Sequence, residues 1–546
     1  GISGGWAAKE LCEKGLETLV LERGKNVAHI SDYKTAHSEA WELPHRGKPG
    51  PNWKSENPIL SKVASVDPSN DHFFVKDAEH PYVQERAFDW IRGYQVGGKS
   101  LMWARMTQRW SPMDFEANAK DGYGVDWPIR YEDLAPWYSH VEKFVGISGS
   151  KEGLPQLPDG EFLPPYDFTC VEKHVKEEVE KKFPGRNIIH PRCANLSQHH
   201  NGRGPCMNRR RCNRGCPFSG YYSSNAGSLP AAAATGKLTL RPEAVVHSII
   251  YDEESGKAKG VRVIDAETKE TTEYFARIVF LNAGTLNSLL ILMNSKSERF
   301  PNGLGNDYDA LGRYLMDHNY RGRVSGVHTG FQDKYYYGLR PSSAYVPRFR
   351  NVGSDKQSSF LRGYSFGFRG MRTQTNLSDE TPRFGAGFKA ALCEPGKWRV
   401  GLTGMGEHLP YPDNRVTLSE TKTDQWGIPQ LKIDCTFREN EAAMVEDILA
   451  TGTEMLEAAG CEDIQTRNTQ QNPGLAIHEM GGAPMGRDPK TSMLNNRNQV
   501  HSVPNVFVSD GACMSSTACQ NPSLTYMALT ARATHLAVEE MKKGSI

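Results

Sequence analysis

GISGGWAAKELCEKGLETLVLERG, residues 1–24, is the stretch that decides the predicted fold. Gly1 and Gly4 precede apolar residues at helical spacing, and a short apolar strand then ends at Glu22. Glycines at a helix N-terminus let the backbone approach a pyrophosphate, and an acid about 20 residues later can bind a ribose hydroxyl. The pattern favours a dinucleotide site on an α/β fold over a generic glycine-rich turn. It does not separate FAD from NAD, and the motif's first glycine and strand would precede residue 1.

Composition narrows the classes of function. The chain has 546 residues, with 65 basic and 64 acidic side chains. This balance argues against a dedicated nucleic-acid binder, which usually carries a basic excess. No apolar run approaches the roughly 20 residues that a membrane helix needs. The 11 cysteines are too sparse for a secreted disulfide scaffold, so we expect a soluble enzyme-sized fold.

Three later stretches contain further glycine turns. GYQVGGKSLMWAR, residues 93–105, has adjacent glycines at 97 and 98 that allow a close backbone approach, followed by a bulky tryptophan. Residues 274–295 read as an apolar strand, a glycine turn and an amphipathic helix. Residues 501–541 read as a strand, an acid, a glycine and a long helix. Alternating strands and helices of this kind predict an α/β domain.

The order of these motifs resembles the glucose–methanol–choline (GMC) family of flavin oxidoreductases over essentially the whole chain. The nearest resemblance is to its sugar-oxidising branch, which includes pyranose 2-oxidase and the large subunits of gluconate, fructose and glucoside 3-dehydrogenases. The resemblance implies a Rossmann-like FAD-binding domain and a β-sheet substrate domain. Beside the N-terminal stretch, it rests on GGKS (97–100), NAGTLNS (282–288), LGRYLMDH (311–318), IHEMGGAPMG (477–486) and SDGACMSSTACQNPSLT (509–525).

The resemblance also implies a domain organisation. The segment between about 320 and 475 is rich in aromatic and polar residues, as in DKYYYGLR and YSFGFRGMRTQ. This composition suits a sheet that caps the flavin and binds sugars. The expected segments are a first FAD-binding part at 1–130 with an inserted excursion at 30–90, a connecting segment at 131–235, a second FAD-binding part at 236–320, a substrate domain at 321–475 and a third FAD-binding part at 476–546.

Individual residues take roles by the same resemblance. The family's histidine and asparagine at the positions of His478 and Asn521 face the reactive edge of the flavin, which predicts these two as catalytic. Neutral imidazole can accept a hydroxyl proton, and an amide can hold the hydroxyl group. Relatives with covalent FAD carry a histidine at Met102, so we expect non-covalent FAD here. The predicted FAD-binding residues are Gly1, Gly4, Glu22, Arg23, Gly97, Gly98, Ser100, Met102, Trp103, Ala244, Val245, Asp510, Gly511 and Pro522.

A dense cysteine pattern lies in GPCMNRRRCNRGCPFSG, residues 204–220, which we call the cysteine loop. Cys206, Cys212 and Cys216 fall within it at the spacing C-x5-C-x3-C. From the residues alone, the loop is a metal or redox-cluster site, a disulfide clasp or a basic nucleic-acid patch. Zinc would need four ligands, with histidines available at 199–200. The arginines within or beside the loop are Arg203, Arg209, Arg210, Arg211 and Arg214.

In the resembled gluconate and fructose dehydrogenase branch, cysteines at this spacing hold an iron–sulfur cluster near the flavin. The resemblance therefore implies a [3Fe–4S] cluster on the three thiolates, and the arginines would offset its negative charge. A [4Fe–4S] cluster is the less favoured form and needs a fourth ligand, for which Cys193 is nearest in sequence. The alternative interpretation is three unrelated thiols.

The functional expectation follows from these parts. We expect an FAD-dependent dehydrogenase that oxidises a secondary hydroxyl of a sugar or glycoside, with C3 as one candidate carbon. Electrons would leave through the iron–sulfur cluster to a cytochrome c or another acceptor, in a complex with a small subunit. The alternative is an oxidase that reduces O₂ to H₂O₂. The resemblance implies either a periplasmic protein exported with its partner or a cytoplasmic one.

Overall fold

The computed structural model describes residues 1–335, 340–373, 375, 377 and 380–546. Two of the aromatic stretches expected to bind sugars are therefore only partly covered. Residues 336–339 of the first and residue 374 of the second lie outside the described residues.

The secondary structure mixes helices and strands along the whole chain. The helices are α1 Ile2–Glu13, α2 Trp53–Glu56, α3 Pro112–Asp121, α4 Tyr131–Val145, α5 Cys170–Lys182, α6 Ser228–Ala234, α7 Thr285–Asn294, α8 Gly385–Cys393, α9 Glu439–Ala458 and α10 Ser523–Lys542. The strands are β1 Thr18–Leu21, β2 Val83–Gln84, β3 Ile147–Ser148, β4 Phe162–Leu163, β5 Leu238–Arg241, β6 Ala244–Asp252, β7 Lys257–Asp265, β8 Thr271–Phe275, β9 Val279–Leu281, β10 Gly322–His328, β11 Ala344–Val346, β12 Tyr364–Arg372, β13 Trp398–Gly406, β14 Arg415–Thr423, β15 Pro429–Asp434, β16 Glu462–Asn468, β17 Gln499–Val500 and β18 Val503–Val508.

One lobe is built on parallel strand pairs that come from distant parts of the chain. Strand β1 pairs in parallel with β5, and β9 pairs in parallel with β18. Helix α1 contacts β1, β9 and α10, because its apolar face, which includes Trp6, Ala8 and Leu11, is buried. Parallel strands need crossover connections, here helical, so this lobe has the predicted Rossmann-like α/β architecture.

Two further three-stranded sheets belong to this lobe. Strands β6, β7 and β8 form one of them, with Val245 opposite Ile264 in the register between β6 and β7. Strands β14 and β15 pair antiparallel, and β2 joins β15 in parallel. Apolar residues from both sheets pack with α7 in the largest core of the molecule.

A second lobe is an antiparallel sheet in the order β11–β12–β13–β10–β16, which lies within the predicted substrate segment. One face of the sheet carries Phe366, Phe368 and Leu402, which pack in a core with residues of α5 and α9 such as Ile448. Side chains alternate between the faces of a strand, so Ser365 points to the other face. Its hydroxyl donates to the carbonyl of Cys519 at 3.0 Å, which joins the sheet to the C-terminal loop.

The expected excursion at 30–90 folds mainly as short helical turns, with α2 and the two-residue strand β2. Its apolar residues pack in two small clusters, around Phe73 and around Leu60, which also include residues from outside the excursion. In the part of the chain that the structure describes, no helix is both long and apolar enough to cross a membrane.

Candidate active site

A cavity of about 1070 Å³ opens between the glycine turns of the parallel-strand lobe and extends beneath α1. Every residue predicted to bind the cofactor lies in its wall, and so do His478 and Asn521. Ligand pockets usually measure about 300–1,000 Å³, so this cavity has the size of a site for a large cofactor. Sequence positions more than 500 residues apart therefore meet at one surface.

The end of β1 forms one part of this wall. A carboxylate oxygen of Glu22 accepts a hydrogen bond from the backbone N–H of Gly24 at 3.0 Å. The guanidinium of Arg23 lies between the rings of Tyr94 and Trp426, 4.7 and 4.8 Å from their centres. It also forms an ion pair with Asp424 at 3.2 Å, so its charge is already balanced within the chain.

The second glycine turn packs directly on the start of the chain. Gly97 has φ +92° and Gly98 has φ +51°, in the left-handed region that favours glycine. A Cβ on Gly97 would lie 2.0 Å from the side-chain oxygen of Asn225, and one on Gly98 would lie 3.0 Å from the Cα of Gly1. The turn therefore needs both glycines. Ser100 donates to the carbonyl of Gly97 at 2.6 Å and so closes the same turn.

Tryptophan and methionine follow this turn in the cavity wall. The indole N–H of Trp103 donates to the carbonyl of Tyr222 at 2.8 Å, which fixes the ring. Met102 presents a thioether that is partly exposed in the wall. On the other side lie Ala244 and Val245 at the start of β6, whose side chains are buried.

The acid–glycine turn after β18 joins strand and helix. The Asp510 carboxylate accepts hydrogen bonds from the N–H of Gly284 at 2.9 Å, the hydroxyl of Ser288 at 2.6 Å and the N–H of Ala512 at 3.0 Å. Burial raises the pKa of Asp510. Its carboxylate thus ties the turn to the N-terminus of α7, while Gly511 and Pro522 line the cavity nearby.

The two predicted catalytic side chains are in contact. The side-chain N–H of Asn521 lies 3.3 Å from Nε2 of His478. On its other side, Nδ1 of His478 lies 2.8 Å from Nδ1 of His318, whose Nε2 lies 3.0 Å from the carbonyl of Ala518. Burial, with His318 and Lys99 nearby, lowers the pKa of His478 well below its ordinary value. The imidazole is therefore neutral at neutral pH, which is the form that accepts a proton.

Asp317 anchors the loop that carries His478. Its carboxylate accepts backbone N–H groups from Gly474 at 2.7 Å, Ala476 at 3.1 Å and His478 at 3.1 Å. The residue between the last two, Ile477, has φ +65°, an unfavourable angle for a β-branched side chain. The three hydrogen bonds hold the loop in this strained conformation.

The short segment 316–319 connects the catalytic loop to the sheet lobe. Met316 and Met480 exchange backbone hydrogen bonds of 2.8 and 3.0 Å, so the antiparallel pairing places His318 opposite His478. Asn319 and Gly406 exchange two more, each 2.9 Å long. No sequence motif assigned a role to Asp317 or His318. The signal that the sequence offers is the acid–histidine pair at the end of the motif LGRYLMDH, shortly before strand β10.

Glu479 places a carboxylate beside the catalytic histidine. One oxygen of Glu479 forms an ion pair with Lys99 at 2.8 Å. The other oxygen is buried and has no hydrogen-bond partner among the described residues. The side-chain oxygen of Asn521 is in the same state. Because both residues line the cavity, these two oxygens are available to a bound molecule.

Comparison with known proteins identifies the chain. The N-terminal model of the GMC oxidoreductases matches residues 70–320, and the C-terminal model matches residues 410–530, which together cover more than half of the chain. The chain belongs to the GMC oxidoreductases. It is therefore an FAD-dependent enzyme that acts on CH–OH groups, as the motifs predicted.

Individual GMC proteins are similar at modest identity. A 2-methyl-1,2-propanediol dehydrogenase of Mycolicibacterium austroafricanum is 28% identical over 80% of this chain and 79% of its own length. The fructose dehydrogenase large subunit of Gluconobacter japonicus is 25% identical over 100% of this chain and 97% of its own. The structure of an Aspergillus oryzae formate oxidase variant superposes with a TM-score of 0.63 at 14% identity, covering 100% and 97% of the two chains, which shows a common fold.

The residues of this GMC chain fit FAD. Paired glycines at 97–98 form a close-approach turn, Glu22 stands at the end of β1, and the cavity wall holds unpartnered carboxylate and amide oxygens at Glu479 and Asn521. A dinucleotide with many hydrogen-bonding groups matches such a wall. The residues predicted to hold FAD thus occupy one continuous surface, and their individual roles stay predictions.

The cysteine loop does not form a metal site in this arrangement. Across the described residues, no three His, Cys, Asp or Glu side chains are grouped closely enough to hold a metal ion. Cys206, Cys212 and Cys216 are partly exposed free thiols. Burial raises the pKa of Cys206, which opposes thiolate formation. The structure therefore does not support the predicted iron–sulfur ligand set, and the disulfide alternative has no bond in it either.

Proposed function

We propose that this GMC oxidoreductase is an FAD-dependent dehydrogenase that oxidises a secondary hydroxyl of a sugar or glycoside to a ketone. The observation that carries the proposal is the contact between His478 Nε2 and Asn521 in the wall of the cofactor cavity. The sugar is inferred from the fructose dehydrogenase large subunit, which matches over the whole length of this chain. The antiparallel sheet lobe contacts the C-terminal loop at Cys519, two residues before Asn521.

The two residues divide the work on the hydroxyl group. Nε2 of His478 accepts the hydroxyl proton, and the amide of Asn521 hydrogen-bonds the substrate oxygen and orients it. FAD, when bound, supplies the acceptor for the hydride that leaves the carbon. Loss of one proton and one hydride converts the alcohol into a ketone. The side chain of His478 is partly exposed to the cavity, and its desolvation lowers the pKa of the ring and keeps it neutral.

Anaerobic flavin reduction tests the proposal. The purified holoenzyme should show oxidised flavin absorbance, and a glycoside or free sugar should bleach it under argon while a ketone forms. Product analysis by ¹³C NMR would identify the oxidised carbon and test the prediction of C3. A panel should include 1,2-propanediol, because one relative is named for a diol. Bleaching by the diol alone would contradict the assignment to sugars.

The electron acceptor distinguishes a dehydrogenase from an oxidase. Our choice of a dehydrogenase follows the two sequence relatives described above, which are both named as dehydrogenases, whereas other relatives by sequence and the formate oxidase with the same fold are named as oxidases. We expect turnover with an artificial acceptor such as ferricenium and little peroxide in air. Peroxide formed in step with ketone would show an oxidase instead. A cytochrome c, a small partner subunit and a periplasmic location belong to the same proposal, and co-purification from fractionated cells tests all three.

The iron–sulfur cluster stays a prediction from the resemblance, and we assign no electron route through the cysteine loop. One observation favours a negative charge there. Arg105 is 8% exposed, and two of its guanidinium nitrogens have no hydrogen-bond partner in the part of the chain described. The positive charge of Arg105 lowers the pKa of Cys206 and so partly offsets the increase caused by burial. Iron and acid-labile sulfide in the native protein, both lost in Cys212→Ser, would establish the cluster; their absence from the native protein would exclude it.

A further inference from the structure

His318 is a buried histidine that the proposed reaction does not use. It has no exposed surface, and both of its ring nitrogens have partners. Nδ1 contacts Nδ1 of His478 at 2.8 Å, and Nε2 contacts the carbonyl oxygen of Ala518 at 3.0 Å. The two rings are nearly perpendicular, with an interplanar angle of 85°. These contacts determine which ring nitrogen of each histidine carries the proton.

The hydrogen bonds that link Ala518, His318, His478 and Asn521 allow only one assignment of donors and acceptors. A carbonyl oxygen accepts and never donates, so Nε2 of His318 must carry its proton. Burial lowers the pKa of His318 to about 4, so the ring is neutral and its Nδ1 is a lone-pair acceptor. The proton between the two rings must then belong to Nδ1 of His478. In neutral His478 this leaves Nε2 with a lone pair, which here accepts from Asn521.

The opposite tautomer of His478 would be useless as a base. With the proton on Nε2, the nitrogen facing the cavity would be a donor and could not take a proton from a hydroxyl group. The hydrogen bond at one ring nitrogen normally decides which tautomer a histidine adopts. Here that hydrogen bond is made to a residue 160 positions away in the sequence.

The backbone keeps the two rings in register. Reciprocal hydrogen bonds between Met316 and Met480 place residue 318 opposite residue 478. The Asp317 carboxylate accepts the backbone N–H of His478 at 3.1 Å, next to the ring contact. A backbone bridge therefore holds residues 318 and 478 opposite each other, and their side chains meet across it.

We propose that His318 is a positioning residue, which holds His478 in the tautomer whose Nε2 lone pair faces the substrate hydroxyl. The inference rests on the proposed function, in which His478 is the base. It assigns the Asp–His dipeptide at 317–318 two separate tasks. Asp317 fixes the backbone of the catalytic loop, and His318 fixes the proton on the catalytic ring.

Two isosteric variants separate this role from a structural one. In His318→Asn, the side-chain oxygen occupies the place of Nδ1 and can accept from His478. In His318→Leu, the shape is similar but no acceptor remains. We expect the rate constant of anaerobic flavin reduction to fall about 100-fold or more in the leucine variant and less than about tenfold in the asparagine variant. Equal losses in both variants, or a leucine variant near the native rate, would overturn the proposal.

A spectroscopic readout tests the tautomer without turnover. In holoenzyme labelled with ¹⁵N-histidine, two-bond ¹H–¹⁵N spectra distinguish the protonated nitrogen of each ring, and His478→Ala assigns the signal among the 17 histidines. We expect the His478 proton on Nδ1 in the native protein and in His318→Asn, and a shift toward Nε2 in His318→Leu. A native His478 with its proton on Nε2 would refute the inference. If no alcohol reduces the native flavin, the proposed function fails, whereas this measurement still decides the role of His318.

Discussion

The catalytic centre and the cysteine loop bring their residues together in opposite ways. The centre joins His318, His478 and Asn521 from segments far apart in the chain, and hydrogen bonds connect their side chains in series. The loop carries Cys206, Cys212 and Cys216 within eleven positions, yet they form no metal-holding group among the residues described. Closeness in sequence supplies the right atoms, but only a rigid framework supplies their geometry. The centre has such a framework in the Met316–Met480 ladder.

The largest expected effect is at the base of the catalytic centre. His478→Ala should lower the rate constant of flavin reduction by substrate about 1,000-fold, because general-base catalysis typically contributes about 100- to 10,000-fold. Flavin absorbance should be retained. Stopped-flow spectrophotometry under argon measures the rate. The matched control is His501→Ala, a half-buried histidine hydrogen-bonded to Ser492. Reduction by the His478 variant at a near-native rate would place the base elsewhere.

Acid should switch off the centre only well below neutral pH. Burial lowers the pKa of His318 to about 4 and lowers that of His478 well below its ordinary value, so we expect both rings to be neutral at neutral and mildly acidic pH. A proton on Nδ1 of His318 then removes the acceptor for His478. In a stopped-flow pH series, the rate of flavin reduction should fall about tenfold per unit below pH 4, and neither histidine should contribute a step above about pH 5.

Neighbouring charges give this pH profile an internal check. The titratable groups facing the two histidines are His408, Lys99, Glu479 and Asp317. Burial and the charge of Glu479 raise the pKa of Asp317 to about 7. An inflection near pH 7 would therefore report Asp317 and should disappear in Asp317→Asn. An inflection near pH 7 that survives Asp317→Asn would show that another group titrates there, which would contradict the lowered pKa of the two histidines if one of them were that group.

Removing the anchor of the catalytic loop should have an intermediate effect. Asp317→Asn replaces an accepting oxygen by a donor opposite backbone N–H groups. We expect the free energy of unfolding to fall by about 3 kcal/mol at about pH 8, because hydrogen bonds to charged groups contribute about 1.5–3 kcal/mol each. Flavin reduction should slow about tenfold as His478 shifts. Urea denaturation and stopped-flow kinetics measure the two effects.

An exposed aspartate provides the control for this substitution. Asp252 accepts the backbone N–H of Ser255 at 3.2 Å, in a turn at the surface. Asp252→Asn should leave the midpoint of urea denaturation almost unchanged. Equal destabilisation by Asp317→Asn and Asp252→Asn would show that the hydrogen bonds of Asp317 stabilise the fold no more than those of an exposed turn.

The smallest effect is expected where the glycine turn meets the catalytic loop. Lys99→Met leaves the Glu479 carboxylate without its ion pair at 2.8 Å. Glu479 is buried while Lys99 is partly exposed, so we expect a loss of about 1–2 kcal/mol in the free energy of unfolding. The control is Lys237→Met, which removes an exposed pair with Glu17 and should cost less than about 1 kcal/mol. A smaller loss of unfolding free energy in Lys99→Met than in Lys237→Met would contradict a stronger ion pair at the buried Glu479 carboxylate.

Much of the centre was predictable because its motifs lie at segment ends. Gly97, Gly98, Asp510 and His478 each occupy a glycine turn after a strand or loop, and turns of this kind meet at one edge of an α/β sheet. His318 was not assigned because its role depends on a ladder between segments 160 residues apart, which no local pattern encodes. The iron–sulfur cluster stays a prediction, because the spacing of three cysteines does not show where their thiols point.

The ladder around segment 316–319 has a consequence for how substrate reaches the centre. Met316 is bonded to the catalytic loop through Met480, and Asn319 is bonded to the sheet lobe through Gly406. A hinge motion that separated the two lobes would have to break the Asn319–Gly406 pair. We therefore expect substrate to enter while this junction stays closed. In hydrogen–deuterium exchange, the amides of Met480 and Gly406 should be among the last to exchange.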